Sequence, residues 1–145
     1  MIPIRMRIYG TPAPQGSKRH VGGGRMIESS KKVAPWREAV VSEALRLGYC
    51  DERIDEPCMV RITFYLQRPA GHSGVHGIKS SAPTHPAKVP DLDKLIRSTL
   101  DGLTQASVLI DDSRVVGIDA LKIYADDTGP GALIHITEIL TKENT

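Results

Sequence analysis

Five aspartates fall within residues 90–112: Asp91, Asp93, Asp101, Asp111 and Asp112, with Arg97 among them. Leu92, Leu95, Ile96, Leu100 and Leu103 recur with a 3.6-residue period, which predicts a helix over Leu92–Thr104 with Asp91 at its N-cap. In a pure helix Asp91 and Asp93 would point about 200° apart. In extended backbone residues i and i+2 share a direction, and Pro90 biases the chain ahead of the helix toward a turn. An extended Asp91 leading into a helical Asp93 therefore lets the two carboxylates converge, and the partly positive helix N-terminus keeps them ionised. Asp93, Arg97 and Asp101 stand at i, i+4 and i+8 on one side, so Arg97 is expected to link the carboxylates or to meet a phosphate. After Val108-Leu-Ile110 come Asp111 and Asp112; extended neighbours point opposite ways, so one of them is expected to face Asp91 and Asp93.

Carboxylates gathered this way raise one another's pKa unless a cation sits between them. A donor set of oxygens, without Cys or His, suits Mg2+ and, second, Mn2+. Such an ion activates water and stabilises a leaving oxygen, as phosphodiester cleavage requires. Each element also has a plainer use. Asp-x-Asp caps a helix, Asp111-Asp112-Ser forms a polar turn, and Asp101 pairs with Arg97 inside the helix.

The segments around this helix predict what would hold it. Ile2–Tyr9 alternates apolar residues with Arg5 and Arg7, as a strand with one buried face does. Gly22-Gly-Gly24, flanked by basic residues, predicts a hairpin or a mobile basic flap. Trp36, Val40, Ala44 and Leu47, widened by Val41 and Leu45, predict a second helix with Pro35 in its first turn and Gly48 as its stop. Cys58–Leu66 reads as a strand, and Val115–Ala125 and Ala132–Thr141 as two more. Gln67–Pro90 is rich in Gly, Ser, His, Pro and Lys, and is expected to be a long substrate-facing loop. The order predicts one α+β domain over residues 1–145, its helices packed on a mixed or antiparallel sheet.

Charge is uneven along the chain. Residues 1–40 hold eight basic side chains against two acidic ones, leaving eleven basic and fifteen acidic for the rest. A basic third beside an acidic remainder suits a protein that grips phosphates in one place and cations in another. Lys18, Arg19, Arg25, Lys31 and Lys32 are the expected phosphate contacts, and a solvated face is their plainer reading. No apolar run approaches a membrane span. Cys50 and Cys58 lack metal-ligand spacing and are expected as reduced thiols of a cytoplasmic protein. His72, His76 and His85 make only a weak metal pattern, and neither a phosphate-binding P-loop nor a serine-hydrolase motif is present.

Residues 90–116 closely resemble the signature of the RusA family of Holliday junction resolvases. That pattern runs Asp-x-Asp-Asn, a basic residue one turn on, Asp-x-Leu, a short link, then Asp-Asp and a Val-rich strand. The N-terminal strand with Gly10-x-Pro12 and the Trp36 helix are similar too. The resemblance implies a homodimeric α+β nuclease that cuts four-way DNA junctions with paired nicks. It implies Mg2+ held by the catalytic residues Asp91, Asp93 and Asp112, with Arg97 where the family often has Lys. Arg keeps the charge and offers a phosphate fork but is a poorer proton shuttle. Lys94 stands where Asn is common, and Asp111 and Asp101 receive no role from the resemblance. A bacterial or phage-infected cytoplasm is the expected setting. Two other readings use the same residues: another Mg2+-dependent nuclease on branched DNA, or a catalytically weak branched-DNA-binding protein.

Overall fold

The computed structural model describes residues 3–16, 18–20, 26–28 and 31–139, with side chains outside the two three-residue segments. Strand β1 (Ile4–Tyr9) buries Ile4, Met6 and Ile8 and turns Arg5, Arg7 and Tyr9 outward. The short strands β2 (Lys18–His20) and β3 (Met26–Glu28) pair antiparallel, Lys18 opposite Glu28, which is the expected hairpin. Helix α1 (Val33–Leu47) follows, then β4 (Cys58–Leu66), helix α2 (Leu92–Gln105), β7 (Val115–Tyr124) and β8 (Gly131–Glu138). The main sheet has the order β1-β8-β4-β7. Pairing is antiparallel from β1 to β8 and from β8 to β4, and parallel from β4 to β7. The fold is therefore α+β with a mixed sheet. The parallel pair needs a crossover, and α2 with the loop before it supplies one.

One apolar cluster joins sheet and helices. Ile4, Met6, Ile8, Val60, Ile62, Phe64, Ile134 and Ile136 of the sheet pack with Trp36, Val40 and Ala44 of α1 and Leu95 and Leu103 of α2. The helices lie on one face only. On the other, Arg7 stacks over Tyr9 (4.3 Å) and Tyr65 (4.7 Å) and donates to Gly129 O (2.8 Å). That arginine is thus committed to structure, whatever its contribution to the basic N-terminal third.

Helix α1 ends as expected, with Gly48 at φ 80° and its N–H turned back to the Ala44 and Leu45 carbonyls. Its apolar stripe is narrower than expected. Val33, Trp36, Val40 and Ala44 are buried, whereas Leu45 and Leu47 are exposed. The helix packs beside edge strand β1 at the margin of the sheet, and Leu45 and Leu47 in its last turn face solvent while Ala44 beside them is buried. Trp36 donates its indole N–H to Thr99 Oγ1 (3.1 Å), and Thr99 donates to Leu95 O (2.8 Å), which ties the helices together through a buried polar link.

The segment between β4 and α2 is more structured than its composition suggests. A 3-10 turn over Ala70–His72 leads into the paired strands β5 (Ser73–Gly74) and β6 (Gly77–Ile78). The segment gains order from β7 rather than from a core of its own. Arg68 stacks on Tyr124 (4.2 Å) and donates to Pro83 O (2.8 Å), and His72 meets the same tyrosine edge-on. Cys50 and Cys58 are free thiols, and burial raises the pKa of Cys58, with the Glu138 charge adding to it.

Candidate active site

Asp91 is the N-cap of α2 in extended conformation (φ −71°, ψ 138°), yet its carboxylate makes no capping hydrogen bond. The backbone performs the helix start while the side chain stays in solvent, with Lys94 Nζ 3.7 Å away. Asp93, in the first turn, is also exposed. Two carboxylate side chains thus stand near the partly positive end of a 14-residue helix.

Asp112 is placed elsewhere. It opens a 3-10 turn after α2 and accepts a hydrogen bond from Thr104 Oγ1. It also contacts the Asp101 carboxyl, whose pKa is raised by burial first and by the Asp112 charge second. Asp93 and Asp101 lie eight residues apart, about 12 Å along the helix axis. Asp112 therefore meets the far end of α2, and the expected meeting of Asp91, Asp93 and Asp112 is not formed within this chain. Among the described residues no group of three or more His, Cys, Asp or Glu side chains is gathered closely enough to hold a metal.

The cation nearest Asp101 is also not the expected one. Arg37 of α1 approaches Asp101 Oδ2 at 4.0 Å and donates to Gln15 Oε1 (3.3 Å). Arg97 is exposed and lowers the Asp101 pKa only through its charge. Asp111 faces away, capping the 3-10 turn by accepting from Ser113 N (2.9 Å), and these Ser113 hydrogen bonds lower its pKa. Thr104 and Arg37 were not among the residues singled out by pattern. Thr104 lies three residues after Asp101 on the same helix side, a signal that was readable. Arg37 depends on how α1 packs on α2, which no local spacing reveals.

Two features draw basic residues toward the start of α2. Ser98 Oγ donates to Ala13 O (2.6 Å), and Gln15 N donates to Lys94 O (3.0 Å). The segment ahead of Lys18 and Arg19 is thereby anchored on the acidic helix. A groove of about 310 Å³ is lined by Thr11, Pro12, Ala13, Pro14, Lys32, Val89 and Pro90, so Lys32 and the turn into Asp91 share one surface. Lys31 is exposed beside it. Lys18 and Arg19 lie on β2, whose side chains are outside the described residues, as is Arg25 altogether.

In donor chemistry, the carboxylate oxygens of Asp91 and Asp93 are of the kind a hard divalent cation takes, and magnesium binds through one or two carboxylates while keeping several waters. A full three-carboxylate set would need a carboxylate from outside this helix end. No helix among the described residues is long and apolar enough to cross a membrane. Comparison with curated proteins returns no match. Comparison with known families matches residues 9–137 to the family described as Endodeoxyribonuclease RusA. That span includes both helices, β4, β7, nearly all of β8 and every aspartate of the site, and the chain belongs to the RusA endodeoxyribonuclease family.

Proposed function

We propose that this endodeoxyribonuclease resolves four-way DNA junctions in recombination and repair, working as a homodimer with Mg2+, for which Mn2+ can substitute. Asp91, Asp93 and Asp112 are the metal-holding carboxylates, and Arg97 meets the phosphate. The observation that carries this reading is the shared surface of Lys32 and the turn into Asp91. A phosphate drawn to the basic side of that groove arrives beside the turn that carries Asp91. The bound ion would activate water and stabilise the departing oxygen. The chain's own part is to fix Asp91 in extended backbone, to keep its carboxylate out of the cap, and to hold DNA through Lys18, Arg19, Arg25, Lys31 and Lys32.

The separation of Asp112 bears on the assembly. Val108 and Leu109 are fully buried, and Ile54 N and O hydrogen-bond Val108 and Ile110, so the link that carries Asp112 is clamped. A second copy can supply the missing carboxylate without breaking that clamp, and a two-fold dimer does so twice, in step with a junction's own symmetry. Edge strand β7 exposes Val116 and Ile118 on one face, apolar side chains suited to cover by another chain.

The test is cleavage of a synthetic four-way junction, a three-way junction and linear duplex, with and without Mg2+, beside gel-shift binding. Metal-dependent nicking of the four-way junction is expected, lost in Asp91→Asn and Asp93→Asn while binding persists. Preference for linear DNA, or full activity in both variants, overturns the reading. The separated Asp112 also favours a second reading, a protein that binds branched DNA with little cutting; tight junction binding with no nicking in either metal would select it.

A further inference from the structure

We infer that Lys122 is a positioning residue for Asp91, an inference that rests on the reading of Asp91 as a cation-holding carboxylate. Lys122 belongs to edge strand β7, in register with buried Phe64 of β4, so its side chain shares the sheet face that carries the helices. Its Nζ donates to Lys88 O (2.6 Å) and to Pro90 O (2.8 Å). Pro90 immediately precedes Asp91. One ammonium thus holds two carbonyls, two residues apart, on the turn that delivers the carboxylate.

That turn has little else to hold it. Proline has no N–H to donate. Among the described residues, no backbone N–H of residues 88–91 has a backbone partner, and Val89 is 82% exposed. The helix itself begins only with the Lys94 and Leu95 N–H groups bonded to Asp91 O. Between Ala87, bonded to His85 O, and Asp91, the Lys122 chelate is what sets the tilt of the peptide planes. Fixing the Pro90 carbonyl fixes the peptide plane that runs to the Asp91 Cα, and with the Asp91 carbonyl already held by the Lys94 and Leu95 N–H groups the direction in which the Asp91 side chain leaves the backbone is set from both sides.

Charge and positioning predict opposite signs. A nearby ammonium by itself opposes a metal cation, so deleting it would tighten metal binding. Loss of an oriented carboxylate weakens it, and outer partners of metal ligands are worth about 10- to 100-fold in affinity.

The experiment is Mn2+ binding to the full-length chain, followed by electron paramagnetic resonance, for wild type, Lys122→Met, Lys122→Arg, Asp91→Asn and the double variant Lys122→Met/Asp91→Asn. Melting curves establish that each is folded, and Lys122→Gln replaces the Met variant if that one is not. Lys122→Met is expected to weaken Mn2+ binding about tenfold, Lys122→Arg to restore most of it, and Lys122→Met to add nothing once Asp91 is Asn. Amide exchange is expected to quicken over residues 89–94 in Lys122→Met. Unchanged or tighter Mn2+ binding in Lys122→Met, with Asp91→Asn impaired, overturns the positioning role and leaves the metal reading standing. Equal binding by wild type and Asp91→Asn overturns the metal reading and this inference with it.

Discussion

The Asp112 carboxylate lies against that of Asp101, where Thr104 donates to it, and not against Asp93 one end of the helix away. Both are half-buried, and Arg37 approaches Asp101 at 4.0 Å. Two like charges at this distance are unfavourable unless a proton or a cation is shared between them.

The first prediction follows from the raised pKa of Asp101. An acid whose folded pKa exceeds its unfolded value takes up protons on folding. Its stabilising effect is complete below the unfolded pKa and is lost as pH rises through the folded one. Asp101→Asn removes this dependence. Relative to wild type, the variant should gain stability near pH 7–8, with the gain shrinking as pH falls toward the ordinary carboxylate range. Urea denaturation at several pH values checks this; a gain that grows in acid would refute it.

Asp112 at the wrong end of α2 makes a second prediction, about subunits. If a second copy supplies Asp112, mixed Asp91→Asn and Asp112→Asn chains should regain junction cleavage, since one hybrid site then holds an intact set. Co-refolding the two inactive variants and assaying nicking in Mg2+ is the measurement. Mixtures as inactive as each parent would place all three carboxylates on one chain.

Thr99 tests the buried link between the helices. Thr99→Val keeps the shape but leaves the Trp36 indole N–H without its acceptor. Leaving a buried donor unsatisfied costs about 1–3 kcal/mol. Denaturant unfolding monitored by fluorescence of the sole tryptophan reads the loss directly.

Gly102 is a point of close approach between α1 and α2. A Cβ there would stand 3.1 Å from Val40 Cβ and 3.2 Å from Val40 Cγ1, and Val40 is fully buried with little room to shift. Ala improves helix propensity by about 0.8–1.0 kcal/mol, against about 1–3 kcal/mol for overpacking. Gly102→Ala is therefore expected to be net destabilising by about 1 kcal/mol, seen as a lower urea midpoint at unchanged m-value.

Lys32 lines the groove that leads to Asp91, and Lys31 is the exposed residue before it. Replacing either by Ala should weaken junction binding and reduce the slope of log affinity against log salt by about 0.9, one phosphate contact each. Gel shifts over a salt series test this; an unchanged slope would assign both lysines to the solvated surface.

Much of the architecture was legible because burial imposes a period. The alternation in Cys58–Leu66 and the stripe from Leu92 to Leu103 determine a strand and a helix by themselves, and Pro90 and Asp91 announce where that helix starts. The short-range order Asp-x-Asp, Arg, Asp, Asp-Asp was also enough to identify the family resemblance. Leu45 and Leu47 misled because periodicity shows which side of a helix is apolar and not where the sheet beneath it ends.

Composition and spacing alone therefore determined the elements, the family pattern and the oxygen-only donor set, since each depends on neighbours a few residues apart. Only the tertiary structure decided which carboxylates meet, that Arg37 rather than Arg97 reaches Asp101, and that Lys122 grips the turn before Asp91. The Arg37 and Lys122 contacts join residues 64 and 32 positions apart. Their existence depends on how α1, α2 and β7 pack into one core, and no local rule specifies that packing.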